Sequence, residues 1–210
     1  MKRSQINRII HETLAFFHLQ GFALPPFAEY TPEQFMKLDT DEKEILDLCL
    51  GWDITAFGSD DFEHTGLVMF TLRNGSRNNP DYPKNYAEKI MMVRENQVTP
   101  RHFHWYKRED IINRGGGNLI VELFRADPER NCLDERHDFA VSVNARRHVM
   151  KSGDRVILRP GDSIYLEGIH AHRFYGEPGT GTVLVGEVST VNNDSNDNCF
   201  VDGTPRFDMI

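Results

Sequence analysis

Residues 102–117 have the sequence HFHWYKREDIINRGGG, and this stretch decides how the chain is expected to fold. His102 and His104 are two residues apart, and Glu109 follows five residues after His104. On a strand, residues i and i+2 project from the same face, so the two imidazoles can converge on one point. A tight turn between His104 and Lys107 would bring Glu109 back beside them. Neutral imidazoles and a carboxylate are the usual ligands of a divalent first-row metal, so the stretch predicts a metal site.

A second histidine pair, His170 and His172, follows a Pro160-Gly161-Asp162 turn. A lone His-x-His is often an accident of a surface or a core, whereas two histidine-bearing strands with a nearby Glu are much more specific. The two pairs together therefore strengthen the prediction of a metal site. The other histidines lack such neighbours and are expected to be ordinary: His11, His18, His64, His137 and His148.

The chain around these motifs is predicted to be mainly β from Trp52 onward. Short runs alternate apolar and polar residues or are rich in β-branched and aromatic ones, and turn signals close each run. The absence of alternating strands and helices argues against a parallel sheet and favours a sandwich or small barrel. The predicted strands cover residues 53–57, 66–72, 87–93, 118–124, 139–143, 154–158, 163–166, 171–175 and 182–191.

The first fifty residues are predicted to be helical instead. Ser4 is expected to N-cap a segment with one apolar face, which a glycine and a Pro-Pro pair end. Thr31 and Gln34 then have the spacing of a capping box. A third short helix is predicted over residues 42–50.

These segments suit one domain over residues 1–210, a β-barrel (52–200) with an N-terminal helical cap (1–50). A chain of 210 residues buries roughly 70% of its extended surface, and 39% hydrophobic residues can form a core, which excludes wholesale disorder. The aromatic residues of the cap are core by default, or they form a dimer surface; they are Phe16, Phe17 and Phe22.

Charge and cysteine content limit the partners and the compartment. Lys and Arg number 24 against 32 Asp and Glu, a net charge of −8, and no basic run occurs. Nucleic acid and anionic membranes are therefore poor partners. No stretch approaches the roughly 20 apolar residues of a membrane span, and polar residues interrupt the start of the chain, which argues against a secretory signal. Three cysteines without a Cys-x-x-Cys pair favour a reduced, cytoplasmic protein.

The first histidine motif resembles that of the cupin superfamily. That motif is His-x-His, three or four residues, Glu and then a glycine, and it corresponds here to His102, His104, Glu109 and the 115–117 turn. These glycines are expected to turn the chain tightly beside the metal, where a positive φ is needed.

The second cupin motif is only partly matched. A Pro-Gly-Asp turn leads to a strand and to His172, followed two residues later by Phe174, as the motif requires. The usual Pro-Gly before the histidine is replaced by residues 166–171, which contribute His170 as well. Spacing to Phe174 favours His172 as the fourth ligand, and His170 is the alternative.

A closer resemblance is to the D-lyxose isomerase family of sugar isomerases. It rests on residues 102–119, on Val185–Ser189 and on Asn192 with 197–200, and it extends over about residues 86–200. The resemblance implies a cytoplasmic aldose–ketose isomerase with a cupin double-stranded β-helix (jelly-roll) barrel, commonly a homodimer. It implies Mn²⁺ as cofactor and interconversion of D-lyxose with D-xylulose and of D-mannose with D-fructose. The ligand types alone also admit other divalent first-row metals.

Aldose–ketose isomerisation through an enediol needs a base near C1 or C2 of the sugar. Glu187 is the first candidate, because it shares strand parity with Val183 and Val185, which are expected to point inward. A carboxylate on an apolar interior face has a raised pKa, which would suit a base. The alternative is a solvent-facing Glu187.

Four further residues are candidates for the site. Lys107 lies two residues before Glu109, so both can point into one cavity, where the ammonium could stabilise an enolate oxygen; the alternative is a solvated lysine. Lys89 shares parity with inward residues and is a candidate for substrate binding, although an edge lysine is equally plausible. Tyr175 and Asp197 are candidates for hydroxyl recognition, but strand parity does not decide their positions.

Two other functions use the same ligands. An iron-dependent cupin dioxygenase would consume oxygen together with a substrate, and a non-catalytic sugar-binding cupin would bind without turnover. The sequence has no helix-turn-helix or other output module, and an internal acid–base pair would be superfluous in a pure binder. Both observations argue against the pure binder, whereas oxygen consumption would separate the dioxygenase from the isomerase.

Overall fold

The structure is a computed structural model and describes residues 1–206, which begin with a helical segment. Its main helix buries one face through Ile9, Thr13 and Phe17. The helical elements are α1 (Arg3–Leu19), a 3-10 turn (Pro26–Glu29), α2 (Pro32–Phe35) and α3 (Lys43–Asp47).

The rest of the described chain is antiparallel β-structure. The first seven strands are β1 (Gly51–Thr55), β2 (Leu67–Arg73), β3 (Tyr86–Val93), β4 (Thr99–Phe103), β5 (Glu109–Gly116), β6 (Leu119–Asp127) and β7 (Cys132–Leu133). The others are β8 (Phe139–Val143), β9 (Arg146–Met150), β10 (Arg155–Leu158), β11 (Ser163–Leu166), β12 (His170–Gly176), β13 (Val183–Thr190) and β14 (Cys199–Phe200).

Two sheets form the barrel. The larger has the strand order β1-β2-β3-β13-β5-β11-β8-β9, and the smaller has the order β10-β6-β12-β4-β14 with β7 paired to β6. One apolar cluster draws on both sheets, including Met91, Ile111, Val121 and Phe174, so the main core lies between them. The predicted class, a mainly β cupin-like barrel with an N-terminal helix, is confirmed.

A second apolar layer covers the outside of the larger sheet. Ile9 and Phe17 of α1 pack with Phe70, Ile90 and Leu184, which alternate with the inward residues of β2, β3 and β13. The central strands are therefore buried on both faces.

Most predicted elements are confirmed within one to three residues at each end. The capping box at Thr31 and Gln34 is present. Ser4 as N-cap is wrong: Lys2 is the N-cap, and its carbonyl already accepts bonds from Gln5 and Ile6, so α1 begins before Ser4.

Strands β4 and β5 are not among the predicted strands. The buried side of β5 carries Glu109 and Asn113 as well as Ile111, so its sequence lacks the apolar alternation of an ordinary strand. Where polar side chains line an interior cavity, the strand that carries them lacks the hydrophobic alternation by which a strand is recognised in a sequence.

The expected place of the glycine turn is also wrong. Strand β5 begins at Glu109 and ends at Gly116, so the turn lies at the other end of the strand from the histidine motif. Gly116 has φ +81°, and a Cβ there would lie 2.2 Å from the carbonyl oxygen of Thr182. These glycines permit close packing against the start of β13.

Within residues 1–206, none of the helices is both long and apolar enough to span a membrane.

Candidate active site

One cavity inside the barrel brings most of the predicted site residues together. We call it the barrel cavity. Its polar lining consists of Lys89, Thr99, His102, His104, Lys107, Glu109, His172, Glu187, Asp194, Asn198 and Arg206. Apolar side chains from both sheets, such as Met69, Met91 and Phe174, complete the wall.

Three histidines present the same ring nitrogen to the barrel cavity. His102, His104 and His172 each place Nδ1 next to a backbone carbonyl oxygen, at 2.9, 2.7 and 3.2 Å. Because a carbonyl oxygen can only accept, each Nδ1 carries the proton and each neutral ring keeps its lone pair on Nε2. Metal-binding histidines are oriented in this way.

The rings are held close together and uncharged. The centroids of His102 and His172 lie 4.4 Å apart, and those of His102 and His104 lie 5.1 Å apart. Burial, followed by the neighbouring histidines, holds the pKa of His102 well below its usual value. Burial also lowers the pKa of His172 to about 4. Both imidazoles are therefore neutral at pH 7, the form in which they bind metals.

Glu109 completes this group of donors. Its Oε1 lies 3.5 Å from His104 Nε2 and 3.4 Å from His172 Nε2. Both Oε1 and His104 Nε2 are buried without a hydrogen-bond partner. Unpartnered buried polar atoms are rare, and adjacent ligands of a six-coordinate ion lie about 3 Å apart.

As the side chains lie, no three His, Cys, Asp or Glu residues in the described part of the chain are already arranged to hold a metal ion. Instead, the ammonium of Lys107 contacts the other carboxylate oxygen of Glu109 at 2.7 Å. The donor set of three Nε2 atoms and one carboxylate nevertheless fits a divalent first-row ion, and two of its atoms lack any other partner.

His170, the alternative ligand, has both ring nitrogens engaged. Its Nε2 donates to the carbonyl of Ala140 at 2.9 Å, and its Nδ1 accepts from the backbone N–H of Glu167 at 3.0 Å. It does not line the barrel cavity. Of the pair on β12, only His172 has a nitrogen free for a ligand.

Lys107 lies between two carboxylates. Its Nζ is 2.7 Å from Glu109 Oε2 and 2.9 Å from Glu187 Oε1, and the side chain is 3% exposed. Burial alone would lower the pKa of Lys107, but the carboxylates of Glu109, Glu187 and Asp194 outweigh burial and raise it. The same ammonium holds the pKa of Glu109 well below its usual value, although burial opposes this.

Glu187 points into the barrel, as its parity with Val183 and Val185 predicts. Its surroundings differ from the apolar face that the sequence suggested, because the ammonium groups of Lys107 and Lys89 lie 2.9 and 3.7 Å from Oε1. Lys89 is opposite Glu187 in the register of β3 and β13. Lys89 also donates to Asn192 Oδ1 at 2.7 Å.

Asp197 lies behind the wall of the barrel cavity. Its carboxylate accepts from the backbone N–H groups of Tyr106 and Lys107 at 2.8 and 2.9 Å. Its own carbonyl accepts from His104 Nδ1 at 2.7 Å. Asp197 thus fixes the turn between His104 and Lys107, and its oxygens are directed at protein groups.

Tyr175 is not brought to the barrel cavity. It lies between Phe174 and Gly176 on β12, opposite Ile120 of β6, on the other face of the strand from His172 and Phe174.

Sequence reasoning missed several lining residues. Asn198 lies within the 197–200 stretch that carries the resemblance, Asp194 lies shortly before this stretch, and Arg206 follows it, but none of the three was singled out as a site residue. Thr99 precedes the first histidine motif by three residues, so strand parity with His102 would have placed it on the opposite face. The pairing of β12 with β4 contains a register shift between these two positions, and Thr99 lines the barrel cavity together with His102.

Comparisons with known proteins identify the family. The family model described as D-lyxose isomerase matches residues 1–210. A D-lyxose/D-mannose isomerase from Serratia proteamaculans is 54% identical over 100% of this chain and 92% of its own length. The corresponding isomerase from Escherichia coli O157:H7 is 52% identical over the same shares.

Solved structures agree in fold. An L-ribose isomerase variant from Acinetobacter sp. DL28, in complex with L-ribose, has a TM-score of 0.66 at 16% identity and covers 98% of this chain and 94% of its own. An L-ribose isomerase from Cellulomonas parahominis with L-psicose has a TM-score of 0.63 at 16% identity, with 97% and 94% covered. From the family match and the close relatives, this chain belongs to the D-lyxose isomerase family of sugar isomerases.

Proposed function

We propose that this chain is a divalent-metal-dependent aldose–ketose isomerase that interconverts D-lyxose with D-xylulose and D-mannose with D-fructose. The names of its close relatives support the choice of sugars. The observation that carries the mechanism is the buried row Glu109–Lys107–Glu187 beside three histidines with uncommitted Nε2 atoms. It places a candidate ligand group, an ammonium and a candidate base within one cavity.

His102, His104, His172 and Glu109 would hold the metal ion, for which we propose Mn²⁺. When bound, such an ion polarises the sugar carbonyl as a Lewis acid and orients neighbouring oxygens. The backbone carbonyls that accept from each Nδ1 keep the three rings in the tautomer that this binding needs.

Glu187 is proposed as the base. Its carboxylate takes the proton from C2 of the open-chain aldose and returns it to C1, while the hydroxyl proton of O2 is transferred to O1, so that an enediol is formed and consumed and no atom is gained or lost. Lys107 donates a hydrogen bond to the oxygen that gains charge while the proton is on Glu187. Lys89 is proposed to bind a sugar hydroxyl, since only one of its three N–H donors has a hydrogen-bond partner closer than 3.5 Å among the described residues.

Asp197 is proposed to act as a positioning residue, because its oxygens hold the turn that carries His104 and Lys107. We retain no proposed role for Tyr175 in the barrel cavity. The homodimer and the cytoplasmic location implied by the family resemblance stay predictions, which light scattering and cell fractionation would test.

The experiment is sugar interconversion by metal-stripped protein with and without added Mn²⁺. D-lyxose and D-mannose are supplied, and the ketose is measured. We expect ketose only when the ion is present. Bound Mn²⁺ without ketose from either sugar would contradict the isomerase, and oxygen uptake would then test a dioxygenase.

A matched pair of variants locates the ligands. His172→Gln should lose Mn²⁺ binding, measured by calorimetry, because it removes a free Nε2. His170→Gln changes the other buried histidine of β12 and should keep Mn²⁺ binding, since both nitrogens of His170 are already used inside the protein. Loss of binding in His170→Gln alone would reverse the assignment.

A further inference from the structure

A second group of charges, of which Lys89 is buried and Asp194 and Arg206 are mostly buried, continues the row beyond Glu187. Lys89 Nζ lies 3.7 Å from both Glu187 Oε1 and Asp194 Oδ2. Arg206 Nη2 lies 3.5 Å from the same oxygen of Asp194. Asp194 and Arg206 both line the barrel cavity and form the end of the row that is farthest from Glu109 along these contacts.

Arg206 is held in place from several directions. Its guanidinium pairs with Asp53 of β1, and its carbonyl accepts from the hydroxyl of Thr55 at 3.1 Å. Pro205, just before it, lies so close to Gly58 that a Cβ there would be 2.7 Å from Pro205 Cγ. The side chain of Arg206 is 10% exposed.

The carboxylate of Asp194 is also oriented. Oδ2 accepts from Asn192 Nδ2 at 2.9 Å, and Oδ1 faces Asn198 Nδ2 at 3.3 Å. Oδ2 is therefore the oxygen that lies toward Lys89 and Arg206.

Stability alone gives little reason to remove Asp194 and Arg206 from water. Removing two charges from water costs several kcal/mol per ion, and well-packed apolar residues are often as stable or more stable. The ordinary use of buried, oriented charges in a cavity is to recognise a ligand.

A sugar hydroxyl both donates and accepts a hydrogen bond. A guanidinium has several donors in a fixed plane, and a carboxylate accepts, so the two side chains together match such a group. We propose that Arg206 and Asp194 bind hydroxyl groups on the carbons beyond C3 of the open-chain aldose and so set the preferred substrate length. The inference rests on the proposed function, which assigns C1 and C2 to the end of the barrel cavity with the histidines and Glu187.

The test compares two aldoses that share the reacting carbons. D-lyxose has hydroxyls beyond C3, whereas D-glyceraldehyde ends at C3. Arg206→Gln is expected to lower the ratio of kcat/KM for D-lyxose over D-glyceraldehyde by about 10- to 100-fold, the usual effect of losing a charged hydrogen bond. Arg206→Lys keeps the charge without the planar fork and should give a smaller loss.

The control is Arg101→Gln. Arg101 also pairs with an aspartate of the C-terminal segment, Asp202, at 2.5 and 2.9 Å, but it does not line the barrel cavity. We expect the substrate ratio to stay within about twofold of the parent. An equal loss for both aldoses in Arg206→Gln, or the same change of ratio in Arg101→Gln, would overturn the proposal and leave Arg206 a structural tie.

Binding of D-arabinitol to Mn²⁺-loaded protein, measured by calorimetry, separates this proposal from the proposed function. If the parent protein binds D-arabinitol but turns over no aldose, the isomerase is refuted, while weaker binding by Arg206→Gln still supports the sugar contact. If parent and variant bind D-arabinitol equally, or neither binds it, the sugar contact is refuted whatever the turnover.

Discussion

The two faces of strands β3 and β13 are chemically opposite, although both are buried where α1 covers the sheet. The outer face presents Ile90, Met92 and Leu184 to α1, whereas the inner face presents Lys89 and Glu187 to the barrel cavity. Lys89 and Ile90, consecutive residues of β3, thus belong to the row of charges and to the outer apolar layer. The outer layer is expected to supply stability, and the inner row is expected to supply chemistry at a cost in stability.

This contrast teaches that burial alone does not reveal function. Phe17 and Lys107 are almost completely buried, yet only Lys107 needs specific partners to remain so. A change on the inner face should alter turnover with the fold intact. A change on the outer face should lower the free energy of unfolding and leave turnover per folded molecule unchanged.

The largest expected effect is on the inner face. Glu187→Gln keeps the shape and the contact with Lys107 but removes the base, so kcat for D-lyxose should fall by roughly 10²–10⁴. The midpoint of thermal unfolding should confirm a folded protein. Val188→Gln, on the other face of β13 and 39% exposed, is the matched control and should retain turnover. Full turnover in Glu187→Gln would remove the base assignment.

The outer face should respond in the opposite way. Phe17→Ala opens a cavity where α1 meets the sheet, and the free energy of unfolding should fall by roughly 3–5 kcal/mol. Urea unfolding measures this loss, and kcat per folded molecule should be unchanged. The contrast between the faces breaks down if turnover falls while the variant remains fully folded.

Acid should destabilise the histidine end of the barrel cavity first. In metal-stripped protein, His172 has a pKa of about 4 against 6.5 when unfolded, so the unfolded chain binds protons first. Its contribution, on the order of 3 kcal/mol, is present above pH 6.5 and is lost as the pH falls toward 4. The lowered pKa of Glu109 acts in the same direction below about 4.5.

Chemical unfolding between pH 7 and 4 measures this loss. His172→Gln should flatten the acid limb, whereas His11→Gln, at an exposed position of α1, should leave it as it is. An unaltered limb in His172→Gln would assign the acid sensitivity to other groups.

The smallest expected effect lies behind the cavity wall. Asp197→Asn weakens the two bonds to the backbone of Tyr106 and Lys107, and the free energy of unfolding should fall by about 1–2 kcal/mol. Calorimetry should also show weaker Mn²⁺ binding, because the turn that carries His104 is less well held. Asp202→Asn changes an exposed aspartate and should alter neither. Unchanged Mn²⁺ affinity in Asp197→Asn would limit Asp197 to a structural role.

The outer face was largely predictable from the sequence. The alternation in residues 87–93 and 182–191 gave both strands and their apolar sides, because ordinary burial leaves a regular hydrophobic period. Elsewhere in the barrel cavity a motif marked the site residues, as at His102, His104 and Glu109.

The remaining site residues depend on how distant segments meet. The parity of Lys89 and Glu187 placed both on the inner face, but their pairing depends on the register of β3 and β13. Arg206 reaches the barrel cavity through contacts with Asp53, 153 positions earlier in the chain. A hydrophobic period does not encode contacts between distant segments, so no sequence signal marked Arg206 or Asp194.

The three bonds made by Asp197 have a consequence for the order in which a new chain acquires its site. Their partners lie 90 to 93 positions earlier, so a ribosome has made the first histidine motif long before the residue that holds it is available. A nascent or prematurely ended chain can carry all four candidate ligands and still lack the fixed turn. Assembly of the site therefore waits until almost the whole barrel has been made and is present to enclose it.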